Sequence, residues 1–266
     1  MFRNQLKAKC YNAASSTAFG VFIGFPSTQL VEMAAYTGFD AVVIDNEHGM
    51  LSAENVEHMV MAAELTGITP LVRVVSSDPA ELLKAMDRGA HGVHVPQVET
   101  ASEAIRIVEA VKYPPVGRRG AAFSMRAARF GTVPLSDYLE RANEESFICI
   151  HIETGKALDN LQEILEVQGV DAVYIGPTDL SVSLGCKGDV DHPEVRKAME
   201  QIRHAAVAAG RKLGIHSRHA AGAVLRQAWG ADYVGVTVTS LVTDAFSEYI
   251  RAVKTKPEQT KEADEQ

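Results

Sequence analysis

Short apolar runs recur about every 20 to 35 residues along the chain, separated by longer stretches with helical spacing. Runs of this kind, rich in Val and Ile, mark strands covered on both faces. The pattern predicts eight strands, over 21–25, 41–45, 70–74, 92–96, 147–153, 172–176, 212–216 and 233–237. The stretches between them carry helix punctuation. Ser52 stands as an N-cap before a helix over 53–65, with Asn55 at the third helical position and Glu54 near the positive end. Asp78-Pro79 opens another helix, with proline at its tolerated first position. Gly67, Gly89, Gly169, Gly210 and Gly230 each follow a helical run, where a left-handed C-cap favours glycine.

Eight strand and helix units with no second compositional zone predict one (β/α)8 barrel over 1–254. The polar, aperiodic stretch 255–266 reads as a disordered tail. An open doubly wound sheet is the runner-up. It would want a glycine-rich turn after its first strand, and Gly24-Phe25-Pro26 is not a phosphate cradle. The connection over 113–134 is long and carries Arg118, Arg119, Arg126 and Arg129, so it is expected to be functional or to lie at an interface.

Barrels of this type keep their chemistry at the C-terminal ends of the strands. The polar residues gather there. The second strand ends in Asp45, Glu47 and His48; the third carries Arg73; the fourth ends at Gln97. The fifth carries His151 and Glu153, the sixth runs into Thr178 and Asp179, and the seventh ends at His216 and Ser217. Glu153 and Asp179 suit a hard divalent cation, magnesium or manganese, whose open positions go to substrate oxygens. The competing reading is two rim acids, each satisfied by an arginine. Arg73 inside a strand needs an anion: either a substrate carboxylate or enolate, or a structural pair with Asp45 or Glu47. His48 beside Asp45 reads as an imidazole oriented by a carboxylate, the arrangement of a general base, or else as a capping contact. His151 shares a face with Glu153 and is best read as filling a polar layer inside the barrel, with a histidine-bearing metal site as the alternative.

Composition narrows the class. The chain has 266 residues, 46% of them apolar and 23% charged, enough for a full core, and a net charge of −8, which argues against nucleic-acid binding. No apolar run is long enough for a membrane span, and the N-terminus lacks the apolar core of a secretion signal. Cys10, Cys149 and Cys186 are scattered, which suits a reducing cytoplasm. No strand ends in lysine, so Schiff-base chemistry is excluded, and nucleotide glycine motifs are missing. A metal, a base and an arginine remain, a set that can stabilise an enolate.

These residues resemble the HpcH/HpaI family of class II, metal-dependent pyruvate aldolases. The matching pieces include Ile44-Asp45-Asn46-Glu47-His48-Gly49, Val72-Arg73, Met86-Asp87-Arg88-Gly89, Gly117-Arg118-Arg119-Gly120, Ile152-Glu153-Thr154 and Ile175-Gly176-Pro177-Thr178-Asp179. The resemblance implies a pyruvate-binding (β/α)8 barrel that cleaves a 4-hydroxy-2-oxo acid to pyruvate and an aldehyde, or runs the reverse addition. It implies Glu153 and Asp179 as ligands of Mg2+ or Mn2+, with Co2+ a further candidate. It implies that the backbone near Pro177 and Thr178 holds the substrate carboxylate, that Arg73 steadies the keto oxygen, and that His48, oriented by Asp45, moves the aldol proton. It also implies that Asp87 reaches a neighbouring subunit's site in a homo-oligomer, a hexamer or trimer, with Glu47 supporting from behind. His151 stands where the family commonly has Gln, and His216-Ser217-Arg218 is atypical; these departures bear on the aldehyde half of the substrate. Two alternatives are an oxaloacetate decarboxylase or other enolate enzyme resembling macrophomate synthase, and a non-catalytic barrel that binds an oxo acid.

Overall fold

The computed structural model describes residues 3–12 and 17–254. The chain opens with helix α1 (Gln5–Tyr11) and continues β1 (Ala18–Ile23), α2 (Thr28–Tyr36), β2 (Ala41–Asp45), α3 (Ala53–Thr66), β3 (Thr69–Arg73), α4 (Pro79–Asp87), β4 (Gly92–Val95) and α5 (Ala101–Val111). There follow α6 (Leu135–Glu145), β5 (Phe147–His151), α7 (Gly155–Asp159), α8 (Leu161–Glu166), β6 (Ala172–Ile175), α9 (Pro177–Ser183), α10 (Pro193–Ala208), β7 (Lys212–His216), α11 (Ala220–Ala228), β8 (Tyr233–Thr237) and α12 (Val238–Lys254). The eight strands pair in parallel in sequence order, and β1 closes on β8, which makes the (β/α)8 barrel. The residues expected to form a tail, 255–266, lie outside those described.

The helix punctuation falls where the pattern places it. Ser52 caps α3 and Asn55 returns the bond, and Gly67 ends that helix at φ 81°. Strand boundaries shift by a residue or two, except at β1. That strand begins at Ala18 and ends at Ile23, because Gly24 must lie against Gly49 in the β2–α3 loop, where any β-carbon on Gly49 would strike the Asp45 carbonyl.

Period-two alternation sets what faces where. Val42, Ile44, Val93, Val95, Ile148 and Ile150 point outward into the layer between strands and helices. Phe22, Val43, Leu71, Phe147, Cys149, Tyr174 and Tyr233 point inward and fill the barrel. Gly20, Gly214 and Gly235 make room for the two tyrosine rings; a β-carbon on any of them would collide with a ring atom. Helix α1 covers the N-terminal end. Leu6 is fully buried among the inward residues, its N–H donates to Thr69 Oγ1 at 3.1 Å, and Asn4 Nδ2 donates to the His91 carbonyl at 2.9 Å. That plug leaves access to the interior from the C-terminal end of the strands.

The 113–134 connection packs through its arginines. Arg119 donates to Asp87 at 2.7 Å and lies over the Tyr113 ring, and Arg126 pairs with Glu64.

Candidate active site

The inward positions at the C-terminal ends of the strands are Phe22, Asp45, Arg73, His94, His151, Tyr174, His216 and Thr237, one from each strand in turn. The loops beyond add Glu153, Gly176, Pro177, Thr178 and Asp179. Most of these line one cavity of about 180 Å³, with His48 at its rim. A larger cavity of about 400 Å³ lies at the opposite end of the barrel, beside Glu64, His91 and Arg126. It lacks the converging carboxylates that mark the smaller one, so volume does not decide between them.

Glu153 and Asp179 converge. Their Oε2 and Oδ2 atoms lie 2.6 and 3.3 Å from where a β-carbon on Gly176 would stand, so the missing side chain leaves a notch between two carboxylate oxygens. Glu153 is 5% exposed. Its Oε1 accepts the Gln97 N–H at 2.9 Å, and its Oε2 lies 3.4 Å from His151 Nδ1. Burial pushes the Glu153 carboxyl upward, but His151 and the Gln97 amide outweigh burial and hold it below the ordinary value. Gln97 reaches its position with φ at 52°, a left-handed conformation uncommon for a residue with a side chain. Asp179 sits in the first turn of α9, where the helix dipole favours an acid, and that turn has no side-chain cap. An all-oxygen pair with room between the oxygens fits a hard divalent cation. Among the described residues, Cys186, His192 and Glu194 form a separate group of donors outside this cavity, with His192 Nδ1 already accepting the Glu194 N–H.

Arg73 is held from two sides. Its Nε and Nη2 donate to the Asp45 carboxylate at 2.9 and 2.7 Å, and its Nη1 lies 3.1 Å from Glu47 Oε2. Its guanidinium also lies 5.1 Å from the Phe22 ring centroid. Burial raises the Asp45 carboxyl, yet the Arg73 bonds more than offset it and the group ends below its ordinary pKa. Glu47 ends above its own ordinary value: burial dominates, Glu153 adds to it, and Arg73 only partly opposes it.

The structure corrects one expectation about orientation. The Asp45 carboxylate grips Arg73 and caps the backbone N–H groups of Glu47 and His48, at 3.2 and 3.3 Å, rather than orienting the His48 ring. The imidazole Nε2 instead faces Glu47 Oε2 at 3.8 Å, and the ring is 67% exposed. The two structural readings left open for Arg73, a pair with Asp45 and one with Glu47, hold together. Asp87 is not with the others. It ends α4, bonds to Arg119, and does not line the cavity. His151 is buried in the polar layer expected of it and also touches Glu153. His94, Tyr174, Phe22 and the notch at Gly176 were not singled out by the sequence pattern. The signal that finds them is the inward register: Tyr174 lies two residues before Gly176, His94 is level with Arg73 across the β3–β4 pair, and Phe22 is level with Thr237 across the β1–β8 pair.

A closed parallel barrel with its polar groups gathered at the C-terminal ends of the strands defines an enzyme of the (β/α)8 class. Residues 18–243 match the family model described as HpcH/HpaI aldolase/citrate lyase. The chain belongs to that family. It is 37% identical to a 2-keto-3-deoxy-L-rhamnonate aldolase of Klebsiella pneumoniae over 248 residues, 92% of each chain. Among solved structures it is similar to an HpcH/HpaI aldolase/citrate lyase family protein from Burkholderia cenocepacia J2315, at TM-score 0.89 and 30% identity, covering 95% of this chain and 100% of that one. Macrophomate synthase is also similar, at TM-score 0.81 and 27% identity, covering 95% and 89%. The protein is therefore a divalent-metal-dependent aldolase that cleaves a 4-hydroxy-2-oxo acid to pyruvate and an aldehyde or joins the two. No described helix is long and apolar enough to cross a membrane.

Proposed function

We propose that the substrate is a 2-keto-3-deoxy sugar acid of the rhamnonate type, cleaved between C3 and C4 with Mg2+ or Mn2+ held by Glu153 and Asp179. The observation that carries this reading is the meeting of those two carboxylates at the Gly176 notch, in the cavity that Arg73 also lines. The identity of 37% to a rhamnonate-derived sugar-acid aldolase supports the substrate class. A divalent ion in the notch supplies Lewis acidity toward the keto oxygen. Arg73 keeps N–H groups on both Nη atoms beyond those spent on Asp45 and Glu47, and these stabilise negative charge on that oxygen. The uncapped amides of Thr178 and Asp179, after Pro177, hold the substrate carboxylate. In the cleavage direction a base takes the C4 hydroxyl proton. The C3–C4 bond then breaks to release the aldehyde, and its electron pair passes into the pyruvate enolate, which is protonated at C3. We assign the hydroxyl proton to His48 at the rim, with Glu47 steadying the ring. His151 and His216 fill the floor beneath the substrate.

We further infer a homo-oligomer, a trimer or hexamer, in which Asp87 serves a neighbouring copy. Exposed Phe246, Tyr249 and Val253 on α12 support self-association. Three free cysteines support a cytoplasmic location.

Pyruvate in heavy water tests the core of the reading. With Mg2+ or Mn2+ the methyl signal should exchange, and Glu153→Ala and Asp179→Ala should abolish exchange. Exchange that persists in EDTA refutes the metal assignment. Faster decarboxylation of oxaloacetate than cleavage of 2-keto-3-deoxy-L-rhamnonate refutes the substrate class.

A further inference from the structure

Beneath Glu153 lies a pair of histidines that the aldol steps leave unused. His94 on β4 and His151 on β5 both point into the barrel, 0% and 1% exposed. His94 Nδ1 stands 3.0 Å from His151 Nε2, and His151 Nδ1 stands 3.4 Å from Glu153 Oε2. The three side chains form a short chain of polar contacts ending at the notch. Phe22, Tyr174 and Tyr233 surround the far end, with ring centroids 5.2 to 5.8 Å from that of His94.

Donor accounting gives this chain a direction. An ionised carboxylate only accepts, so the hydrogen between His151 and Glu153 sits on His151 Nδ1. With both rings taken as neutral, each carries one N–H, so His151 Nε2 accepts and His94 Nδ1 donates to it. His94 Nε2 is then a bare acceptor, and it has no hydrogen-bond partner among the described residues. The reverse order would set the His151 Nδ1 lone pair against a carboxylate and bury an unpaired N–H among aromatic rings, which costs more. Burial, the largest cause, holds His94 well below the ordinary histidine value, consistent with a neutral ring.

We propose that His94 is a positioning residue: by donating from Nδ1 it fixes the tautomer of His151, whose Nδ1–H in turn aims Glu153 Oε2 into the Gly176 notch. With the Gln97 amide on Oε1, the carboxylate is gripped at both oxygens. Groups placed this way behind a metal ligand set its orientation and affinity. The inference rests on reading Glu153 as a metal ligand.

Histidine-selective 15N spectra of the metal-free protein read the tautomers directly. Both rings should carry the proton on Nδ1, with signals assigned from His94→Asn and His151→Gln spectra. Mn2+ titration followed by EPR gives the second readout. His94→Phe keeps an aromatic ring but loses the donor, and should weaken Mn2+ binding about 10- to 100-fold. His94→Asn keeps an amide N–H at the place of Nδ1, and should stay within about threefold of the wild type. A wild-type His151 protonated on Nε2 overturns the proposal without any variant, so it stays falsifiable even if His94→Phe does not fold. Unchanged Mn2+ affinity in His94→Phe overturns the role of His94 alone. A wild type that binds no Mn2+ overturns the ligand role of Glu153 and the purpose given to His94 with it.

Discussion

Adding one methyl group at Gly176 should empty the proposed metal site and leave the fold standing. The backbone there has φ −93° and ψ 91°, which any residue adopts, so Gly176→Ala carries no conformational penalty. The new β-carbon would stand 2.6 Å from Glu153 Oε2, where ordinary contact begins at 3.4 Å. Glu153 must therefore retreat by roughly 0.8 Å, several times the tolerance of about 0.2 Å on a metal–ligand distance. Asp179 Oδ2, at 3.3 Å, needs to yield only slightly. Loss of one of two protein ligands from good geometry should weaken Mn2+ binding at least about 10- to 100-fold. Unfolding should change by no more than about 1–3 kcal/mol, because loosening Glu153 from the Gln97 N–H and His151 costs stability, while the alanine stabilises by about 0.4–1 kcal/mol through the unfolded chain. The assay is an EPR titration of Mn2+ beside a thermal melt, with pyruvate release measured at saturating and limiting metal. Mn2+ affinity within threefold of the wild type would show that the two carboxylates do not bind metal at this notch. A collapse in thermal stability would show instead that Gly176 is needed for packing.

Two further perturbations separate chemistry from structure. Arg73→Lys keeps the charge but loses the fork that spans Asp45 and Glu47, so the methyl exchange rate of pyruvate should fall by about 100-fold or more; a near-normal rate would return Arg73 to a purely structural role. His216 is buried beside Arg73 and His151, which lowers its pKa from 6.5 to about 4. Because the unfolded chain takes up this proton first, stability should be full above about pH 6.5 and fall toward pH 4, by up to about 1.4 kcal/mol per pH unit. His216→Asn should flatten that slope in urea titrations at stepped pH, and an unaltered slope would contradict the assignment.

Much of this arrangement was legible in the chain because parallel strands buried on both faces must be apolar until they end. That is why Asp45, Arg73, Glu153 and Asp179 stand out as a ring of polar residues at one end. The same double burial hides the inward register: in Gly92-Val93-His94-Val95 nothing local says which pair of side chains enters the barrel. Closure decides it, by pairing each strand with two neighbours, and only then do His94, Tyr174 and Phe22 become visible as the floor. The sequence leaves the partner of Asp45 open between His48 and Arg73 for a related reason. His48 is its neighbour in sequence, but Arg73 is its neighbour across the β2–β3 ladder, in register with it. The cross-strand neighbour offers two donors in a fixed plane, and it wins. Helix α1 is not legible in the sequence because a seven-residue helix with no acidic first turn leaves little periodicity to read.

Charge supports the proposal that these residues work on an anionic substrate through a cation. Asp45, Glu47, Glu153 and Asp179 crowd one end of the barrel, and Arg73 is the guanidinium among them. Arg73 offsets Asp45, whose pKa falls, but it cannot also offset Glu47, whose pKa rises under burial and the nearby Glu153 charge. A keto acid carries its own carboxylate into this field and would be repelled by an excess of negative charge in a poorly hydrated pocket. A divalent ion held by Glu153 and Asp179, as proposed, would offset that charge at the keto oxygen. Arg73, anchored by Asp45 and Glu47 rather than mobile, would add a fixed guanidinium on the same cavity for the negative charge that develops on the substrate.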